Sequence, residues 1–303
     1  MRHMKYTTKI TTQTLPVFLA TCLLVASAVL PVRASLLLYE GFDYEAPIVG
    51  KEGGSGFNAA WAQHASPATI NLKAGLDYTD ANTDALVATG GSVGITSVAS
   101  GGISRTFDAI TAAADTTTTY WLSFVGNTAW SANGSGNNFF ASLMLRSGTT
   151  DILSVGAFGS SPNWRVRANN SNYSSATGVP TSSTQAFVVV RIDVNTATAG
   201  NDAVYLWINP ALGTEPSIGA ATGSITGTNL WNSFSLDSLR ISVNENAPAG
   251  ATKSISLDEL RLGTSYADVA VTAVPEVAST AVFLGGILFV VVILLQGRRS
   301  RST

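Results

Sequence analysis

The chain has 303 residues, of which only 12% are charged, a length that admits one large domain or two small ones. Between Ser35 and Val274 lie 10 of its 17 lysines and arginines against 18 of its 19 acidic residues. An excess of about eight negative charges excludes a nucleic-acid partner, which calls for clustered basic residues, and the single cysteine, Cys22, lies outside that stretch and so excludes disulfides and thiol metal sites from it.

Residues 1–34 read as a signal peptide. Arg2, Lys5 and Lys9 precede an apolar run from Leu15 to Leu30, and Val32-Arg33-Ala34 offers small residues at the two positions a signal peptidase inspects. Cleavage is expected between Ala34 and Ser35. The alternative, an uncleaved membrane helix, meets a run broken by Pro16, Thr21 and Ser27.

From Ser35 to Thr272 the pattern is one of short strands separated by Gly, Asn, Ser and Thr clusters, with no long run of helical period. Thr118 to Val125 joins aromatic and β-branched residues and ends at Gly126-Asn127. Phe139 to Leu145 and Ile152 to Phe158 follow, with Arg146-Ser147-Gly148 turning between them. In Gln185 to Val194, Phe187 and Val189 share one face while Val188, Val190, Ile192 and Val194 share the other. Ala203 to Asn209 returns antiparallel to it and stops at Pro210, which cannot donate to a ladder. Ser233 to Val243 and Ser254 to Leu262 close the set, and a break of phase in the latter predicts a bulge near Asp258. About eleven strands without helices predict an all-β, antiparallel two-sheet jelly-roll sandwich formed as one domain over residues 35–272.

Residues 273–303 differ again. Val277 to Leu295 is an uncharged, almost wholly apolar stretch of 19 residues, about what a helix needs to cross a hydrocarbon core, and Arg298, Arg299 and Arg301 follow it. The positive-inside rule puts that tail in the cytoplasm and the body outside the inner membrane, in the cell envelope or at the extracellular surface. A buried core helix is the competing reading.

The order Val274-Pro275-Glu276, apolar span, basic tail resembles the PEP-CTERM sorting signal of Gram-negative bacteria. In that family a Pro-Glu-Pro motif precedes the membrane helix, and an exosortase-like enzyme cuts nearby; here Val277 stands at the second proline, and an ordinary single-pass anchor stays open. In the body, Leu38-Tyr39-Glu40-Gly41-Phe42-Asp43-Tyr44, Tyr205-Leu206-Trp207-Ile208-Asn209-Pro210 and Leu257 to Thr264 resemble the concanavalin-like (laminin-G-like) jelly rolls of surface proteins bearing this signal. That resemblance implies a first strand beside the last; its motifs speak to fold, not to activity.

No catalytic constellation emerges. His64 is the one histidine of the body, so a Ser-His-Asp or Cys-His arrangement lacks its parts, and the sole adjacent acidic pair, Asp258-Glu259, points to opposite faces of a regular strand. Glu40, Asp43, Asp258 and Glu259 are hard oxygen ligands near the first and last strands, which makes them candidates for a structural Ca2+; exposed acids at strand ends are the alternative. Trp130 and Trp164, beside loop-like sequence, are the first candidates for stacking on a sugar ring, with core packing as the alternative. The sequence thus predicts an exported, non-enzymatic surface or extracellular-matrix protein with polysaccharide as its candidate ligand. The rival readings are a carbohydrate-active enzyme of unrecognised type and a purely structural matrix component.

Overall fold

The runs of threonine, valine and aromatic residues fold as strands because alternate side chains can be buried between two sheets. The computed structural model describes residues 35–64, 68–130, 140–158, 163–169, 172–181, 185–197, 200–228, 230–231, 233–243 and 252–273. The chain divides between Ala34 and Ser35, and all described residues belong to the part that begins at Ser35. The expected signal peptide, sorting motif Val274-Pro275-Glu276 and membrane span lie outside the described residues. No helix among the described residues is long and apolar enough to cross a membrane.

In chain order the strands are β1 (Leu36–Glu40), β2 (Ala62–His64), β3 (Thr69–Ala74), β4 (Gly91–Ser97), β5 (Gly101–Thr111), β6 (Thr117–Trp130), β7 (Phe140–Ser147) and β8 (Thr150–Phe158). They continue with β9 (Asn163–Ala168), β10 (Asn172–Pro180), β11 (Ala186–Asn195), β12 (Asn201–Ile208), β13 (Gly223–Thr228), β14 (Ser235–Val243) and β15 (Lys253–Gly263). One sheet runs β13-β12-β11-β6-β15-β4-β3, with β1 also paired to β15; the other runs β10-β9-β8-β7-β14-β5-β2. Every pairing between these strands is antiparallel. This is the two-sheet jelly-roll sandwich the sequence predicts, and its first and last strands are neighbours.

The alternation read in β11 holds. Val188, Val190, Ile192 and Val194 enter the core between the sheets, where they meet Leu122, Phe124, Leu143, Val155, Val166, Leu239 and Ile241. Phe187 and Val189 face the other way, into a second cluster with Trp121, Val125, Trp207, Leu212 and Tyr266. Trp121 and Trp207 stack there at 5.7 Å between ring centroids. Segments 75–89, 209–222 and 264–272 supply the cover. Asp80 Oδ2 accepts from Leu212 N at 2.8 Å, and the Tyr266 hydroxyl donates to Ala211 O.

Two features depart from the sequence reading. More strands form than expected: β4 and β5 are built largely from Gly, Ser and Thr, β2 has only three residues, and β3 shows its alternation in Ile70 and Leu72 alone. A short helix, α1 (Tyr266–Val269), also forms, since Asp268 Oδ2 accepts from Ser265 N at 2.7 Å and Thr264 N at 2.9 Å and so caps its first turn. After α1 the chain is clipped to segment 85–87: Val87 N donates to Val271 O and Ala273 N to Ala85 O, both at 2.9 Å. The bulge is where the phase break puts it. Pairing of β15 with β6 shifts between Asp258 and Arg261, and Glu259 takes a φ of +51°. The first half of β15 pairs with β4 and the second with β1.

Candidate functional site

On the seven-stranded sheet, alternation sends Trp164, Val166 and Ala168 of β9 inward and therefore turns Arg165 and Arg167 to the opposite face. Ala141, Leu143 and Leu145 of β7 do the same for Phe140, Ser142, Met144 and Arg146, and Leu239 and Ile241 of β14 for Arg240. Cross-strand register then collects them: Met144 lies opposite both Arg240 and Ser154, and Ser154 opposite Arg167.

The result is a cluster of guanidinium groups around one carboxylate. Arg146 Nε donates to Asp151 Oδ1 at 2.7 Å, Arg240 Nη2 approaches the same oxygen at 3.4 Å, and Arg167 Nη2 lies 3.6 Å from Oδ2. The Arg167 guanidinium rests 5.2 Å from the Phe140 ring centroid and 5.5 Å from that of Phe158, within cation–π range. Arg240 Nη1 sits 2.8 Å from His64 Nε2. Because a guanidinium only donates, that nitrogen must be the acceptor and Nδ1 must carry the proton. Burial first, then the Arg240 and Arg146 charges, hold the His64 pKa below the ordinary imidazole value. Its lone pair is engaged with Arg240, which counts against a role as general base.

Among the described residues, two buried donors of this cluster have no hydrogen-bond partner, Ser142 Oγ and Arg167 Nε. The side chains at the rim keep some exposure, 16% for Arg146, 11% for Arg167 and 12% for Asp151. What such a surface can do is hold oxyanions, because guanidinium donors match carboxylate and sulfate oxygens and cannot be deprotonated.

The residues proposed from sequence fare differently. Trp164 is fully buried in the core, where it packs against Phe124 at 5.7 Å, so it is no exposed platform for a sugar. It lies on β9 instead of in a loop, and strand alternation turns its ring inward. Trp130 ends β6, and its side chain lies outside the described residues.

The four carboxylates proposed for Ca2+ do not gather. Among the described residues no three His, Cys, Asp or Glu side chains are grouped to hold a metal. Glu40, 1% exposed, accepts from Phe42 N, the Tyr44 hydroxyl, Trp61 Nε1 and Arg105 Nη1 at 2.9, 2.6, 3.0 and 2.7 Å. Asp43 is exposed. Asp258 accepts from Leu76 N and Glu259 N, both at 2.7 Å; Glu259 accepts from Thr89 N, Tyr39 and Arg261. Protein donors thus occupy the oxygens a cation would need. The bulge also turns both side chains toward segment 75–89, in place of the opposite faces of a regular strand. Burial pushes the Asp258 carboxyl up to about 7 and raises that of Glu259.

The arginine cluster was not foreseen from the sequence. The signal that carries it is Arg165-Val166-Arg167, two like charges two residues apart on one strand face.

No protein-family model matches this chain, and no curated protein matches it. Among solved structures it is similar to an endo-β-1,4-glucuronan lyase from the fungus Trichoderma reesei, with 11% identity and a TM-score of 0.45 over 76% of this chain and 96% of that one. It is also similar to a botulinum neurotoxin type C structure, one concerned with interaction with two ganglioside molecules, at 10% identity and a TM-score of 0.40 over 76% of this chain and 48% of that one. The receptor-binding domain of botulinum neurotoxin D matches at 14% identity and a TM-score of 0.40 over 84% of this chain and 53% of that one. This chain therefore spans about half the length of the neurotoxin structures it matches.

Proposed function

We propose that the protein is an exported, non-enzymatic surface or extracellular-matrix protein whose sandwich is held outside the inner membrane by its C-terminal segment and binds extracellular polysaccharide. The observation that carries export is the order of charged and apolar segments at the two ends of the sequence. Arg2, Lys5 and Lys9 lead into the apolar run Leu15 to Leu30 ahead of Ser35, and the uncharged stretch Val277 to Leu295 is followed by Arg298, Arg299 and Arg301. A signal peptidase and an exosortase-like enzyme are the processing partners this reading requires.

Polysaccharide binding is supported by the rim of the arginine cluster, where Arg146 and Arg167 keep 16% and 11% exposure and offer directed donors. A binding role is favoured over an enzymatic one by the engaged His64 lone pair and by the carboxylates saturated with protein donors.

Intact mass spectrometry of the protein from native cells and from their medium tests export. The expected species starts at Ser35 and ends near Pro275. A species still ending at Thr303 would make the C-terminal segment an ordinary anchor, and one starting at Met1 in the cytosol would end the reading altogether.

A further inference from the structure

The eight-stranded sheet ends on β3, and that edge has a chemistry of its own. We infer that β3 is a self-association edge: the β3 strands of two copies of this chain pair antiparallel about a two-fold axis at Asn71 and join their eight-stranded sheets into one.

The first support is exposure of the edge. An edge strand offers unpaired N–H and C=O groups, and proteins blunt it by shortness, a bulge, proline, charge or a covering neighbour. The other strands that end the two sheets carry such devices. β2 has three residues, β10 has a shifted register and ends at Pro180, and β13 lies against β9 and β10 of the other sheet. β3 instead runs six residues in unbroken register with β4 and holds no proline, and among the described residues nothing pairs with its other side. Its one charge does not guard the edge. Lys73 Cε and Nζ come within 2.7 and 2.8 Å of where a Cβ on Gly94 would stand, so the side chain is turned inward across β4.

The second support is the sequence of the edge. A two-fold axis perpendicular to the sheet keeps both core faces on the same side, so residues of equal parity must stand opposite one another. Centred on Asn71, this sets Ala68 opposite Ala74 of the second copy, Thr69 opposite Lys73 and Ile70 opposite Leu72. Ala-Thr-Ile-Asn-Leu-Lys-Ala therefore has the same chemistry in both directions: small, polar, apolar, amide, apolar, polar, small. Ile70 and Leu72 are half-buried at the margin of the inter-sheet core, whereas Ile95 and Val93, opposite them on β4, are fully buried. Pairing carries that core across the axis. On the outer face one Asn71 meets the other and each Lys73 meets a threonine, so no like charges oppose. A strand of another protein has no reason to match this symmetry, which makes a second copy the occupant.

A ladder of this length adds about four to six backbone hydrogen bonds over a small apolar area, which suits a reversible dimer with a dissociation constant of about 10 μM. Sedimentation equilibrium of the full-length chain in density-matched detergent micelles reads it. A monomer–dimer equilibrium in that range is expected; a monomer at every concentration up to about 200 μM would overturn the inference. Asn71→Asp and Asn71→Lys locate the interface, because each sets like charges about 5 Å apart on the axis. Each alone is expected to weaken the dimer at least tenfold, and an equimolar mixture of the two is expected to restore it by opposing unlike charges. Dimers unaltered in both variants would place the contact elsewhere, the apolar C-terminal segment included, and overturn the inference; dissociation with no recovery in the mixture would overturn the two-fold register. Asn71 is exposed, so melting is expected to stay unchanged. Should either variant fail to fold, Thr69→Lys, which opposes Lys73 twice across the axis, replaces it, and undiminished association there would equally overturn the register.

Discussion

Glu40 takes four hydrogen bonds from donors spread between Phe42 and Arg105, and it does so at 1% exposure. Removing its charge leaves the Arg105 guanidinium buried without its counter-ion, which is the costly way to break such a pair. Glu40→Gln is therefore expected to destabilise the domain by about 3 kcal/mol in urea unfolding, while Asp43→Asn, at an exposed position, is expected to change stability by less than about 0.5 kcal/mol. Asp258 makes a different prediction. Its carboxyl, raised from 3.8 to about 7 by burial, binds its proton more tightly in the folded than in the unfolded chain. The stability this contributes is full at low pH and is lost as pH rises from about 4 through about 7. The urea midpoint should fall between about pH 5 and about pH 8, and Asp258→Asn should flatten that fall; an unchanged slope in the variant would remove Asp258 as its source. Composition alone cannot tell Glu40 from Asp43. Both read as candidate ligands, and only the fold reveals that one is saturated by Trp61, Tyr44 and Arg105 while the other faces solvent.

Among the elements, β11 and β15 were the most legible, for opposite reasons. Strict alternation in β11 fixes which residues enter which core, and a fault in alternation in β15 locates the bulge at Asp258-Glu259. Strands β4 and β5 were hidden because glycine and small polar residues carry little periodicity, and β2 because three residues show none. Helix α1 was hidden because four residues are too short for a helical period to show. The second apolar cluster, on the outer side of the eight-stranded sheet, was only half legible: Phe187 and Val189 announce an apolar outer face, but the sequence does not say that segments 75–89 and 209–222 cover it. Trp121→Ala should destabilise the domain by about 3–5 kcal/mol, because its ring packs against both Trp207 and Tyr266. A loss of similar size is expected for Trp164→Ala, from the inter-sheet core, with polysaccharide binding retained. Lost binding at full stability would instead return Trp164 to the role the sequence suggested.

At the scale of the whole molecule, the jelly roll follows from strand spacing and from the resemblance of its first and last motifs to a known group, and the pairing of β1 with β15 meets that expectation. The arginine cluster does not follow, because it is assembled from Asp151 and arginines on three separate strands whose meeting depends on register. Stability should owe nothing to calcium at the four carboxylates first singled out. The melting temperature is expected to be the same in EDTA and in millimolar Ca2+, and a drop in chelator would show a cation site elsewhere. The clip of Val271 and Ala273 onto segment 85–87 has a mechanical corollary. If the sandwich hangs from a membrane by the chain beyond Ala273, drag on the exposed domain is met first by those few hydrogen bonds, which act as a shock absorber. Under load the clip peels before β15 feels any tension, so the tether can lengthen by a few residues while both sheets stay intact.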